Sequence, residues 1–253
     1  MKNSHVSLQG EDVAPEYAYL LDRPPLLSRS IQKVFEFYCR AVLKIYCPLS
    51  VRGQENIPNT SFMFCSNHNS HMDVVILMVA RQASFNQFGM IAAKDYWFEN
   101  KIKRYLTSAI MTLIPIDRSP KAERIISTDD TINLCKLFIS KDNRNIILFP
   151  EGTRSLDGNL NPFKKGATSF AIKLGIPIVP VYINGSHKAW PKGNLFMRPK
   201  RISVLIGEPI DPHQYIQSEG LDPSHSNEIE NQAILKMTKD LEKVIHNLGQ
   251  NKV

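Results

Sequence analysis

Short apolar runs alternate with longer segments of helical pattern through most of the chain, and this alternation restricts the possible folds more than any other feature. The apolar runs have the length of strands and lie at 61–66, 88–93, 112–116, 145–149, 177–183 and 202–206. The helical patterns lie between most of them, at 73–83, 95–109, 121–141 and 164–174. Alternation of this kind is typical of strands joined by crossover helices. The sequence therefore predicts the α/β class, with a mixed, largely parallel sheet that is covered by helices.

The segment from Leu26 to Tyr46 has the pattern of an amphipathic helix that ends before Pro48. Its charges recur at intervals of four, three, four and four residues, which places them on one stripe: Arg29, Lys33, Glu36, Arg40 and Lys44. The rest of the helix is apolar and rich in aromatic residues. Two interpretations fit this pattern: a surface helix that packs its apolar face on its own domain, or an interfacial helix that places this face in lipid. Both can apply to different parts of one wide apolar face.

Both ends of the chain add helices to the α/β portion. Residues 228–248 carry a helical pattern that Ser226 or Asn227 would cap, whereas 208–226 indicates a loop and 51–56 a connecting turn. We therefore predict an N-terminal arm and amphipathic membrane-associating helix at 1–50, an α/β domain at 51–210, and a C-terminal loop and helix at 211–253 packed on the same domain.

The charge balance favours anionic partners. The chain has 31 Lys and Arg against 24 Asp and Glu, a formal charge of +7. This surplus suits phospholipid surfaces, phosphorylated metabolites, coenzyme A or nucleic acid. Residues 188–201 contain basic and apolar side chains without an acid, a mixture that suits a headgroup interface. No nucleic-acid-binding signature accompanies it, so we expect no nucleic-acid partner.

Cysteine spacing and hydropathy indicate the compartment. The four cysteines show no CxxC spacing and have apolar neighbours, so we expect reduced core residues of a cytosolic protein. The N-terminus lacks a secretory apolar core, and no uncharged apolar run approaches the ~18 residues that a transmembrane helix needs. The expected localisation is membrane-associated, peripheral or monotopic, on the cytoplasmic face, without a transmembrane helix.

A histidine and an aspartate lie where the run 61–66 gives way to a helical pattern. On a regular helix, His68 and Asp73 would diverge by roughly 140° around the axis. They can meet only if His68 lies at the strand end and Asp73 in the first helical turn. Asp73 would then accept a hydrogen bond from Nδ1–H of His68 and leave Nε2 free to take a proton. Because this pair has no obvious nucleophile of its own, we expect the substrate to supply the hydroxyl.

Other chemistry at this junction remains possible from the residues alone. Cys65 or Ser66 beside His68 would make a covalent acyl-enzyme, although no nucleophile-elbow pattern surrounds them. A metal held by His68, His71 and Asp73 lacks the ligand spacing of a catalytic zinc site. We therefore expect a base and its orienting carboxylate.

Two later segments bring charge to the end of a predicted strand. Arg118 follows the run 112–116 and offers a planar guanidinium suited to phosphate, although Asp117-Arg118 alone also fits an exposed turn. The segment Glu151-Gly152-Thr153-Arg154 offers an acid, a glycine that lets the backbone approach an anion closely, turn N–H groups and an arginine. Lys164 or Lys165 would add positive charge there, or be solvated.

The segment Asn67-His68-x-Ser70-x-x-Asp73 resembles the NHxSxxD box of the glycerolipid acyltransferases, the family of lysophosphatidic acid acyltransferase. Three further boxes follow in family order: Ile116-Asp117-Arg118, of which the DR core transfers, Phe149–Ser155, which matches FPEGTRS in full, and Ile178–Ile183, which is similar to the apolar VPV segment. Together the boxes cover residues 66–183, nearly half of the chain.

The resemblance implies an O-acyltransferase of phospholipid biosynthesis. It would move a fatty acyl group from an acyl-CoA or acyl-ACP thioester to the free hydroxyl of 1-acylglycerol 3-phosphate (lysophosphatidic acid), giving phosphatidic acid. The implied catalytic residues are His68 and Asp73, and the implied substrate-binding residues are Arg118, Glu151, Gly152, Thr153, Arg154 and Lys164. No metal and no cofactor beyond the acyl co-substrate are expected.

Two alternatives accompany this expectation. The acceptor would instead be another lysophospholipid, glycerol 3-phosphate or a lyso-aminolipid, because the boxes are shared across the superfamily. Alternatively, the chain is a non-catalytic lipid-binding member, against which the intact pair of His68 and Asp73 argues.

Overall fold

The computed structural model describes residues 15–21, 25–93, 111–117, 126–217 and 226–250. Within them the helices are α1 (Leu26–Ala41, continued by a π-helical turn Val42–Tyr46), α2 (Asp73–Ala80), α3 (Thr128–Ile139), α4 (Gly166–Leu174), α5 (Ser186–Ala189), α6 (His213–Gln217) and α7 (Ser226–Gln250). The strands are β1 (Leu49–Arg52), β2 (Met63–Ser66), β3 (Phe88–Ala93), β4 (Thr112–Ile116), β5 (Asn145–Leu148), β6 (Ile178–Asn184) and β7 (Ile202–Ile206). Short 3₁₀ turns lie at Pro15–Leu20, Gln54–Asn56 and Phe85–Gln87.

The strands form one seven-stranded sheet in the order β1-β7-β6-β2-β5-β3-β4. The pairs β1–β7, β2–β6 and β3–β4 are parallel, whereas β6–β7 is antiparallel. The predicted class, a mixed and largely parallel sheet with helices, is therefore confirmed. In β2 all four residues are buried, as expected of a parallel strand inside an α/β domain.

The chain divides into two compact units. One comprises Met1–Phe37 and Ser84–Ile146, and the other comprises Tyr38–Ala83 and Ile147–Val253. In the first, α3 begins with a reciprocal capping box between Ser127 and Asp130, which fixes its N-terminus. In the second, α7 packs along β6 and α4, and a 2.7 Å hydrogen bond joins the buried hydroxyls of Thr168 and Thr238.

Most element predictions are confirmed within one or two residues, and two are wrong. The expected turn at 51–56 begins as an edge strand, β1, and the expected loop at 208–226 contains the short helix α6. The helix predicted at 95–109 lies outside the described residues, as do the first five residues of the helix predicted at 121–141.

The helix α1 has side chains that contact the protein and side chains that face outward. Part of its polar stripe contacts the protein: Glu36 accepts from the Phe85 N–H at 3.3 Å, and Arg40 donates to the Ala83 carbonyl at 2.8 Å. The exposed apolar side chains of the helix are Leu26, Leu27, Ile31, Val34, Phe37 and Tyr38. These side chains are not packed on the helix's own domain. Arg29 and Lys33 of the charged stripe are also exposed, whereas Cys39 is buried and Phe35 packs against Phe85, so only part of the apolar surface of α1 is covered.

Candidate active site

The loop between β2 and α2 is held in place by Asn67. Its side-chain N–H donates to the Ile183 carbonyl at 2.9 Å, and its side-chain oxygen accepts from the Ile183 N–H at 2.7 Å. Because β2 and β6 are parallel neighbours, this amide continues their ladder one residue past the end of β2. The next residue, His68, therefore leaves the sheet at a fixed point.

His68 and Asp73 are in direct contact, as the sequence predicts. His68 Nδ1 lies 2.9 Å from Asp73 Oδ2, and the side chain of Asp73 is fully buried while that of His68 is 19% exposed. The same carboxylate oxygen accepts from the backbone N–H groups of Asn69 and Ser70, each at 2.7 Å. An ionised carboxylate only accepts hydrogen bonds, so Nδ1 of neutral His68 carries the proton and Nε2 has the free lone pair.

Three residues of the FPEGTRS segment contact His68. The Glu151 carboxylate accepts from the His68 N–H at 2.7 Å, and the Ser155 N–H donates to the His68 carbonyl at 2.7 Å. The Phe149 ring stacks on the imidazole with centroids 3.8 Å apart and planes inclined by 11°. Together these contacts fix the backbone and the ring plane of His68.

Both oxygens of the buried Glu151 carboxylate have partners. Oε1 accepts from His68, and Oε2 accepts from the backbone N–H of Asn161 at 3.0 Å and from its side-chain amide at 2.8 Å. Burial raises the pKa of Glu151 above its ordinary value, an effect that the hydrogen bonds from His68 and Asn161 oppose. The Glu151 carboxylate thus connects the loop that carries His68 to the segment around Asn161.

The turn after β5 brings Gly152 and Lys164 together. The Gly152 N–H donates to the Phe149 carbonyl at 3.0 Å, and the Lys164 N–H donates to the Pro150 carbonyl at 2.9 Å. Gly152 has a left-handed φ of +71°, and a Cβ added there would lie 3.1 Å from Lys164 Nζ. Lys165 instead occupies the N-cap position of α4. Gly152 and Thr153 are exposed.

Arg154 lies beside His71. The guanidinium Nη1 contacts both ring nitrogens of His71, with Nε2 at 2.9 Å. Partial burial and then the charge of Arg154 lower the pKa of His71, which favours the neutral ring as the partner of the guanidinium. The His71 ring is tilted against Trp190, with centroids 5.3 Å apart. A cation, an imidazole and an indole therefore form one cluster near the His68 loop.

Three further candidates from the sequence are Arg118, the thiol of Cys65 and a metal site. Arg118 lies outside the described residues. Cys65 is fully buried, and burial raises the pKa of its thiol, which opposes its use as a thiolate nucleophile. Among the residues that the structure describes, no group of three His, Cys, Asp or Glu side chains is arranged to hold a metal ion.

Sequence reasoning assigned no role to several residues that form this site. Asn67 and Ser70 belong to the first box and Phe149 and Ser155 to the third, but the backbone groups and the ring that they contact are brought near only by the fold. Asn161 carries no sequence signal, because a single asparagine in a polar loop is unremarkable.

The family model named Acyltransferase matches residues 48–184, more than half of the chain. The chain belongs to this acyltransferase family. Its relatives include the 1-acyl-sn-glycerol-3-phosphate acyltransferases of Limnanthes douglasii, 35% identical over 67% of this chain and 57% of the relative, and of Limnanthes alba, 35% identical over 65% and 55%. This acyltransferase-family chain thus spans little more than half the length of those two proteins.

A solved acyltransferase shares the fold. The crystal structure of the 1-acyl-sn-glycerophosphate (LPA) acyltransferase PlsC from Thermotoga maritima aligns with a TM-score of 0.59 and 25% identity, over 93% of this chain and 86% of that one. The α/β fold of this chain is accordingly similar to that of a solved acyltransferase.

Proposed function

We propose that this protein transfers a fatty acyl group from an acyl-CoA or acyl-ACP thioester to the free hydroxyl of 1-acylglycerol 3-phosphate, which gives phosphatidic acid. The observation that carries the proposal is the 2.9 Å contact between His68 Nδ1 and the buried Asp73 carboxylate, which leaves Nε2 able to accept a proton. The names of the plant relatives and of the Thermotoga protein support the choice of acceptor.

The reaction follows from this geometry in two steps. His68 Nε2 takes the proton of the acceptor hydroxyl as that oxygen attacks the thioester carbonyl carbon, and the carbonyl π electrons move to its oxygen. The tetrahedral intermediate then collapses, the C–S bond breaks, and the imidazolium returns its proton to the sulfur. The products are an ester and a free thiol. Because the thioester is already activated, this route requires neither a metal nor a cofactor.

The acceptor phosphate is assigned to the cations and turn that follow β5. Arg154 supplies a guanidinium, Lys164 supplies an ammonium group beside Gly152, and Thr153 in the same exposed turn supplies a backbone N–H group. Arg118 is proposed as a further phosphate ligand on the strength of the family's DR box. Glu151 belongs with His68, since its described partners hold that loop.

The proposed lipid acceptor requires contact with a membrane surface. None of the helices in the described ranges has both the length and the apolar character needed to cross a bilayer. The outward apolar side chains of α1, Phe37 at 74% exposure among them, fit an interfacial helix that lies on the cytoplasmic face of a membrane. The chain would be held there peripherally or monotopically.

An acceptor screen tests the proposal. Purified protein is incubated with one acyl-CoA and, in separate reactions, lysophosphatidic acid, other lysophospholipids, glycerol 3-phosphate and a lyso-aminolipid. Thiol release and mass spectrometry are measured together. We expect phosphatidic acid, with one thiol released per ester formed. An ester with another acceptor alone would move the activity to that substrate. Lipid binding without any ester would indicate a non-catalytic member.

A further inference from the structure

Residues 189–198 form a loop whose two ends are joined by a hydrogen bond. The Arg198 N–H donates to the Ala189 carbonyl at 2.8 Å, so the chain leaves and returns at nearly the same point. Inside the loop, the Trp190 indole N–H donates to the Asn194 carbonyl at 2.9 Å, and the Asn194 N–H donates to the Pro191 carbonyl at 3.2 Å. The loop has the build of a compact Ω-loop, ordered by its own contacts.

The tip of this 189–198 loop is apolar and exposed. Leu195 is 80% and Phe196 is 78% exposed, and the two are adjacent in sequence. Single exposed apolar residues are common, but a pair held out on an ordered loop is a surface that lacks a partner within the described chain. Because the loop is already ordered, burying the tip against a partner requires little further ordering.

The residues around the tip are positively charged. The exposed basic side chains at or next to the loop are Lys188, Lys192, Arg198, Lys200 and Arg201, and the segment 188–201 contains no Asp or Glu. Cations that flank an apolar tip match the anionic headgroups and the hydrocarbon of a phospholipid surface. A protein partner with an acidic surface would match the charges but leave the two apolar side chains unexplained.

The loop also adjoins the exposed end of the N-terminal helix. The Tyr46 hydroxyl donates to the Met197 carbonyl at 3.1 Å, and the Cys47 thiol donates to the Arg198 carbonyl at 3.4 Å. Ile45, one residue before Tyr46, is 78% exposed. Exposed apolar side chains thus lie both on the loop and on the π-helical turn that contacts it.

The other side of the loop contacts the catalytic segment. The Ser70 hydroxyl donates to the Trp190 carbonyl at 2.7 Å, and Ser70 pairs with Pro191 in an isolated bridge. The Ser70 N–H in turn donates to the carboxylate of Asp73. A single residue, Ser70, therefore links the base of the loop to the pair formed by His68 and Asp73.

From these contacts we propose that the 189–198 loop docks on an anionic phospholipid surface, with Leu195 and Phe196 entering the acyl region and the flanking cations contacting headgroups. The docking rests on the proposed function, because it assumes that a lipid acceptor reaches His68 from this surface. It identifies a contact separate from α1 and anchored directly to the catalytic segment.

Vesicle binding of the double variant Leu195→Ser/Phe196→Ser tests the docking without using turnover. Sedimentation is measured with phosphatidylcholine vesicles that contain phosphatidylglycerol. We expect the variant to bind at least about tenfold more weakly than the parent. Leu156→Ser is the matched control, because Leu156 is 76% exposed but lies beside Asp157 rather than among cations, and its binding should be unchanged. Equal binding by parent and double variant, or an equal loss in the control, would overturn the docking.

Turnover measurements separate docking from chemistry. The double variant should lose activity on lysophosphatidic acid presented in vesicles and keep activity, within about twofold, on a short-chain monomeric lysophosphatidate. Loss of activity on the monomeric substrate would assign the loop to the site or its folding and contradict the docking. Loss confined to acyl-ACP, with vesicle binding intact, would show that the loop contacts the carrier protein. If the parent shows no turnover but the double variant still binds vesicles more weakly than the parent, the proposed function is overturned and the docking stands.

A Trp substituted at the tip reports its depth. The Phe196→Trp variant is compared with the parent, whose own tryptophans supply the background. We expect its additional emission to shift to shorter wavelength on vesicles and to be quenched by lipids brominated on the acyl chain. Emission that is unaffected by brominated lipids would place residue 196 in water and contradict the docking. The charge-reversed Lys192→Glu/Lys200→Glu variant should bind more weakly to anionic vesicles and be unaffected on neutral ones.

Discussion

Glu151 shows how one side chain can hold a catalytic loop from a distance in sequence. Its carboxylate accepts hydrogen bonds from His68 and Asn161, and it lies 83 positions after the first of these. A glutamine has one oxygen in place of two and an amide that donates. Replacing Glu151 by Gln therefore leaves either the His68 N–H or the Asn161 groups facing another donor.

We expect Glu151→Gln to lower kcat by roughly tenfold to a hundredfold while the KM for the acceptor changes little, because the imidazole would be less well positioned. Steady-state kinetics on folded protein measures both constants. Glu228→Gln, the same change at an exposed position of α7, should leave them unchanged. A raised acceptor KM at constant kcat would show that the carboxylate contacts the acceptor instead.

Arg154, unlike Glu151, is proposed to contact the substrate itself. Its guanidinium reaches His71 and is assigned to the acceptor phosphate. Arg154→Ala should raise the acceptor KM by about tenfold or more with a smaller effect on kcat, because a charge-assisted hydrogen bond to the phosphate is lost. Arg52→Ala, which removes an exposed arginine at the end of β1, is the control. An unchanged KM would exclude Arg154 from phosphate binding.

The sequence predicted the contact between His68 and Asp73 but not the surroundings of the pair. His68 and Asp73 are only five residues apart, and they can touch only if His68 lies at the strand end and Asp73 in the first helical turn. This geometry follows from the local sequence alone. The clamp formed by Phe149, Glu151 and Ser155 contacts the N–H, the carbonyl and the ring of His68 just past the end of β2. These contacts exist only after the strands have been placed side by side.

At the scale of elements, the junction between β6 and α5 requires a glycine. Gly185 has φ of +88°, and a Cβ added there would lie 2.3 Å from the Arg201 carbonyl oxygen. The backbone before β7 therefore occupies the space that any other side chain needs. The backbone of Trp190 and Pro191, which contacts Ser70, follows this turn and α5.

Gly185→Ala should lower the free energy of unfolding by about 2 kcal/mol or more, since it combines a left-handed φ with a backbone clash. Urea unfolding measures the change. Gly166→Ala is the control: nothing lies within 4 Å of the added Cβ, and alanine at the start of α4 should be neutral or stabilising. Equal stability of the Gly185 variant and the parent would contradict the tight turn.

Two phenylalanines of α1, one packed and one exposed, give a matched test of which part of its apolar surface the protein covers. The ring of Phe35 packs edge to face with Phe85 at 6.3 Å, whereas Phe37 is exposed. Phe37→Ser should change stability by no more than about 0.5 kcal/mol and weaken vesicle binding, while Phe35→Ser should cost about 1–3 kcal/mol. Thermal unfolding and vesicle sedimentation are measured for both variants. A stability loss at Phe37 would mean that the chain itself covers the apolar face.

The edge strand β1 was missed because a distant segment, and not its own sequence, gives it an extended form. The edge strand β1 has only four residues and is half-buried in alternation, so its sequence resembles a turn entering a polar loop. Its extended form comes from pairing with β7, which lies about 150 positions later. The apolar face of α1 was recognised, but periodicity alone gives the same pattern for a face that packs on protein and one that remains outside.

At the scale of the whole molecule, the described site is confined to one of the two compact units. Residues 38–83 contribute the base and its carboxylate, and residues 147–253 contribute the clamp, the cations and the 189–198 loop. The catalytic loop is thus assembled from segments far apart in sequence. We expect the chemistry at His68 and the membrane contact of the 189–198 loop to be separable by substitution, because they lie on different segments of this unit.

The turnover of His68→Ala tests the central claim most directly. Thiol release from an acyl-CoA is measured with lysophosphatidic acid as acceptor, alongside the melting temperature of parent and variant. The account predicts that kcat falls by at least about 10²–10⁴ while the melting temperature stays within a few degrees, because a general base is lost from a partly exposed position. Turnover near that of the parent, in a variant that is folded, would contradict the assignment of His68 as the base.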